Sequence, residues 1–126
     1  MKSILILLIF VPTCLFGQGF VEYQSDEYEV SNYHDLERYQ NFKRTTIFSL
    51  DFQNREYSYS QKNAVGQWKV TTYRIKDFYV GEDGNGIVII RSAGLDKVIM
   101  NDFKKTITFE YFDGGYCEFL RVRKLQ

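Results

Sequence analysis

Ile107-Thr108-Phe109-Glu110-Tyr111 sets three apolar side chains on one side of an extended chain and two polar ones on the other. Successive side chains of a strand point to opposite faces, so a period of two marks a strand with one dry and one wet face. The same alternation runs through Phe48-Ser49-Leu50-Asp51-Phe52 and through Tyr57-Ser58-Tyr59-Ser60. From Arg44 onward the chain reads as strand after strand. Trp68 and Val70 share one parity while Tyr73 and Ile75 share the other, which predicts a bulge near Thr71-Thr72 or a bend in that strand.

The punctuation between these runs is regular. Gln53-Asn54-Arg55, Lys62-Asn63-Ala64-Val65-Gly66, Glu82-Asp83-Gly84-Asn85-Gly86, Ala93-Gly94 and Asp113-Gly114-Gly115 all read as short turns. Connections this short leave no room for helical crossovers, so neighbouring strands should be antiparallel. Ser31 to Gln40 departs from the pattern: Ser31 or Asn32 can cap, and Tyr33, Leu36 and Tyr39 or Gln40 fall at helical spacing. The expected fold is therefore all-β, mainly an antiparallel meander. Seven to eight strands close into a small barrel or fold as a two-layer sandwich, with one short N-terminal helix. The layout is similar to small lipocalin-like barrels in general shape only, and no residue role follows from that. Asp-Phe recurs at Asp51-Phe52, Asp77-Phe78 and Asp102-Phe103, a spacing that a duplicated hairpin or hairpins of ordinary length would both produce.

Met1-Lys2-Ser3 precedes an apolar run from Ile4 to Val11. One positive charge, a short apolar stretch and a following small residue are the layout of a secretory signal. The run is too short for a bilayer core, which takes about 20 apolar residues. Cleavage after Gly17, with Leu15 at −3, makes residues 1–17 the signal peptide and 18–126 a single β-rich domain. The alternative is a lipoprotein anchored through Cys14, although Thr13 before it is larger than the small residue expected there. The chain is thus expected to be secreted or periplasmic, with no transmembrane segment after signal removal.

With 16 basic and 16 acidic residues, the balance offers no general electrostatic drive toward nucleic acid or anionic membrane. The charges are unevenly spread. Glu22, Asp26, Glu27, Glu29, Asp35 and Glu37 crowd the stretch from Gln18 to Glu37, which holds no Lys or Arg, whereas Arg121, Arg123 and Lys124 sit near the end. A solvated acidic face turned toward the basic C-terminal strand is the plainest reading. Once Cys14 leaves with the signal, Cys117 stands alone and no intramolecular disulfide can form. Stability must then come from packing, and all ten Tyr, Trp68 and every Phe except Phe10 and Phe16 lie in the mature chain.

Catalytic motifs are sparse. Glu82-Asp83-Gly84-Asn85-Gly86-Ile87 has the look of a calcium loop, but in EF-hand register Gly81 and Ser92 occupy the first and last ligand positions. A glycine-rich hairpin turn accounts for it better, and no metal site is expected. His34 is the single histidine, and Cys117 shares a strand face with Phe119, which favours a buried thiol over a nucleophile. No Gly-x-Ser-x-Gly elbow, HExxH pair or phosphate loop is present. The chain is expected to be a non-enzyme without catalytic residues or cofactors. Its ligand-binding residues are unknown. Three functions stay open: a binding protein holding a small apolar or aromatic molecule, a protein-protein interaction module such as an inhibitor or adaptor, and, ranked last because no convergent constellation is visible, an enzyme. A Phe- and Tyr-lined cavity would favour the first, and a filled core with exposed aromatics the second.

Overall fold

The computed structural model describes residues 19–31 and 39–125. The signal segment, Cys14 and His34 lie outside the described residues, as does most of the expected helix. Ser31 closes one strand, and Tyr39 and Gln40 open the next, so both ends of that expected helix are strand.

The described residues form twelve strands: β1 (Phe20–Ser25), β2 (Glu27–Ser31), β3 (Tyr39–Phe42), β4 (Thr46–Asp51), β5 (Glu56–Lys62), β6 (Trp68–Arg74), β7 (Asp77–Val80), β8 (Gly86–Ser92), β9 (Leu95–Asn101), β10 (Thr106–Tyr111), β11 (Tyr116–Leu120) and β12 (Arg123–Lys124). They make two antiparallel sheets in a sandwich-like arrangement. One has the order β12-β1-β4-β5-β6 and the other β3-β2-β11-β10-β9-β8-β7.

The excess over seven or eight strands has a simple cause. The chain passes from one sheet to the other four times without turning back: at Asp26, through residues 43–45, at Ile75-Lys76 and at Arg121-Val122. Each passage is a bend in one long strand, as happens where strands switch sheets at a sandwich corner. Counted so, the twelve segments are eight consecutive strands in meander order, and the last pairs with the first through Tyr23↔Lys124 and Phe119↔Tyr28. Barrel and sandwich differ here only by these corners.

Two corners are tied together from inside. Ser25, fully buried at the end of β1, donates its hydroxyl to the Leu120 carbonyl at 2.6 Å. Outside them, Arg123 reaches Asp26 at 3.1 Å and Arg121 pairs with Glu27. The acidic start and basic end of the chain therefore meet across the same corners. Ile75, at the bend between β6 and β7, and Val122, at the bend between β11 and β12, turn inward and are buried.

The register between β5 and β6 runs without a shift from Glu56↔Arg74 to Lys62↔Trp68, so the bulge expected at Thr71-Thr72 does not form. Tyr73 keeps the inward parity, the bend carries Ile75 into the core, and Trp68 and Val70 face solvent. The core between the sheets is aromatic. Phe48 meets Phe119 edge-on at 4.7 Å and Phe109 at 6.0 Å, and Phe109 lies 5.0 Å from Phe119. Edge-to-face pairs add about 0.5–1.5 kcal/mol to the area these rings bury.

Phe48→Ala should cost about 3–5 kcal/mol in urea unfolding, because the surrounding rings cannot collapse into the space. Phe103, 96% exposed on the β9–β10 turn, should change stability by less than about 0.5 kcal/mol on the same substitution.

Candidate functional site

The interior is filled. Tyr57, Phe48, Phe109, Phe119, Leu50 and Ile90 are all less than 2% exposed. Clefts open at the surface instead. One of about 300 Å³ lies at an end of the sandwich, where Tyr23 of β1, Met100 of β9 and Ile107 of β10 meet Asp102, Lys105 and Lys124. Burial pushes the Tyr23 phenol up to about 12, and the nearby Asp102 carboxylate adds to the rise.

The chemically notable groups of the core are quiet. Cys117 is buried, and burial pushes its thiol up to about 12, which removes the thiolate that nucleophilic or metal chemistry needs. Tyr57 packs beside Tyr59 and Tyr73 at 6.4 and 6.3 Å, and Tyr59 and Tyr73 stack at 6.3 Å. Its hydroxyl is buried with no hydrogen-bond partner among the described residues. Burial first, then the neighbouring Tyr59 and Tyr111, hold that phenol well above its ordinary value.

The glycine loop expected to be a turn is one. Gly81 N–H donates to the Asn85 carbonyl at 2.8 Å, Gly84 takes a φ of 86°, and Asn85 donates backbone and side-chain N–H to the Asp83 carboxylate. The carboxylate organises the hairpin rather than an ion. Among the described residues no three His, Cys, Asp or Glu side chains converge as metal ligands. No described helix is long and apolar enough to cross a membrane.

What the molecule offers most openly is one edge. β6 ends its sheet, and its outer face carries Trp68 at 47% and Val70 at 61% exposure. Beyond the bend, β7 ends the other sheet and carries Tyr79 and Val80, both exposed. The Asp-Phe pairs do not mark equivalent places: Phe52 is buried after β4, Phe78 lies within β7 and Phe103 is out in solvent. A different correspondence exists. Asn54 N–H donates to Asp51, and Lys104 N–H to Asn101, in like turns closed by Arg55 and Lys105 at φ 54° and 57°.

No protein-family model, curated protein or solved structure matches this chain.

In the sequence Trp68-Lys69 and Tyr73-Arg74 set an aromatic beside a basic residue, but nothing local marks their strand as an edge. The missing information was long-range: alternation cannot tell an edge strand from a central one.

The raised acids predict how stability responds to alkali. Cys117, Tyr23, Tyr57 and Tyr111 all hold their protons more tightly in the folded chain. Between the unfolded and folded values the native state carries the extra protons, so stability falls as pH rises. The decline should begin near the thiol's ordinary value of 9.0 and steepen beyond 10.0, where unfolded tyrosines ionise. Urea midpoints taken at successive pH values should show it, and Cys117→Ala should delay its onset. Tyr57→Phe removes an unpaired buried hydroxyl and should leave stability unchanged or raise it by up to about 1 kcal/mol at neutral pH. A loss instead would reveal a hidden partner for that oxygen.

Proposed function

We propose that this chain is a non-catalytic interaction module that binds a protein partner through its outer surface. The observation that carries this reading is the open β6 edge, where Trp68 and Val70 are exposed on a strand that pairs on one side only. Aromatic residues are enriched where protein surfaces meet, because they bury much area at little entropic cost. The carrier reading would need an interior chamber, and rings occupy the space between the sheets. The exported location rests on residues 1–17 of the sequence, and the partner is then another exported or envelope protein.

Native mass spectrometry of the chain made by its own host tests this against the carrier. A polypeptide adduct is expected, reduced at least about tenfold by Trp68→Ser together with Val70→Ser, as befits loss of an aromatic anchor. A retained small molecule, unaffected by those substitutions, would overturn the proposal in favour of a ligand carrier.

A further inference from the structure

The hydrogen bonds beside β6 fix which of its backbone groups are unused. Ile75 N–H donates to the Arg55 carbonyl at 2.8 Å, and Asn63 N–H donates to the Gln67 carbonyl at 2.7 Å. Both pairs continue the β5–β6 register, so the odd-numbered residues Lys69, Thr71 and Tyr73 exchange their bonds with β5. The even-numbered residues Trp68, Val70, Thr72 and Arg74 must then turn N–H and C=O away from β5.

The next even residue confirms the parity: Lys76 N–H donates outward to Ile89 on β8 at 2.8 Å. Past Ile89 the β8–β9 register shifts, with Arg91 and Ala93 at φ 50° and 52°, and among the described residues no strand pairs with β6 on this side, although β8 passes close to it. Among the described residues, the ring of strands is interrupted along four residues whose ladder positions are vacant.

Charge selects what fits there. Along β5, β6 and the bend that follows, Lys62, Lys69, Arg74 and Lys76 stand against one acid, Glu56. Lys62, Lys69 and Arg74 form no ion pair among the described residues. Charged side chains on an edge, lysine above all, keep like edges apart. A second basic edge is repelled by this one, whereas an acidic strand gains the same charges as partners.

We infer that β6 accepts an extended acidic segment of a partner protein as an added strand, bonded to the backbone of Trp68, Val70, Thr72 and Arg74. The inference rests on the interaction reading above and narrows it to a place and a partner chemistry. Main-chain bonds supply the affinity in such strand addition, and alternate side chains the selectivity. Apolar side chains of the incoming strand would lie beside Trp68 and Val70, and acidic ones beside Lys69.

Amide exchange and chemical shifts of the ¹⁵N-labelled chain test this, with a capped octapeptide of alternating Glu and Val as the probe. In the free chain, Val70 and Thr72 amides should exchange quickly and Thr71 and Tyr73 amides slowly. Millimolar peptide should shift and protect Trp68, Val70, Thr72 and Arg74, and the Lys-Val counterpart should bind at least about tenfold more weakly. Lys69→Glu with Arg74→Glu should invert that preference. Val70→Pro deletes an outward N–H, a position where an edge strand tolerates proline, and should abolish binding with Tyr57 and Tyr59 signals intact.

Unchanged β6 amides, equal binding of both peptides, or concentration-dependent protection without peptide would each overturn the inference. The last of these would reveal a second copy as the occupant. Binding that maps to another surface would overturn it while leaving the broader interaction reading in place.

Discussion

A strand that is dry on one face can serve two packed sheets only if it bends where it leaves the first and enters the second. This chain bends four times, and everything else follows from where those bends fall. Ser25 is placed so that its hydroxyl meets the Leu120 carbonyl inside one pair of corners, which lets a polar group sit at the heart of the packing with its bond made. Asp26 and Glu27 with Arg123 and Arg121 mark the same corners on the wet side. Exposed ion pairs of this kind are individually weak, so the buried bond and the inward turn of Ile75 and Val122 carry more of the geometry.

Between the corners the core relies on rings. No disulfide restrains the described part of the chain, and its free thiol is buried. Phe48 of one sheet meets Phe109 and Phe119 of the other edge-to-face, and those two rings lie tilted against each other, so the three bridge the sheets. The same economy leaves one blemish. Tyr57 buries a hydroxyl that has no partner among the described residues, in the part of the core where Tyr59, Tyr73 and Tyr111 gather around it. A phenylalanine there would pack as well, and the structure offers no reason for the oxygen.

The strands themselves were legible in the alternation, because period two with small polar residues between rings admits little else. Phe48-Leu50, Tyr57-Tyr59 and Ile107-Phe109 all point where their parity sends them. The turns were legible too, since Gly84, Gly94 and Gly114 take the positive φ that tight hairpins require. Hidden were the corners. Nothing local marks Ile75 as the place where the chain leaves one sheet for the other, and the parity change from the solvent-facing Trp68 and Val70 to the inward Tyr73 and Ile75 reads as a bulge or bend at Thr71-Thr72 that the unbroken register does not contain. Hidden as well was the candidate edge. Whether a strand has one neighbour or two depends on residues far away in sequence, and Trp68-Lys69-Val70 reads alike in either setting.

Trp68 is the chain's single tryptophan, and it stands half in water at the rim of one sheet. The indole therefore senses its immediate surroundings on β6 and little of the aromatic interior. Emission followed through a melt would record the loosening of one edge, while the rings that hold the sheets together pass unseen. The tyrosine cluster, buried and asymmetrically packed, is the chromophore that speaks for the core, and it would do so through circular dichroism in the near ultraviolet.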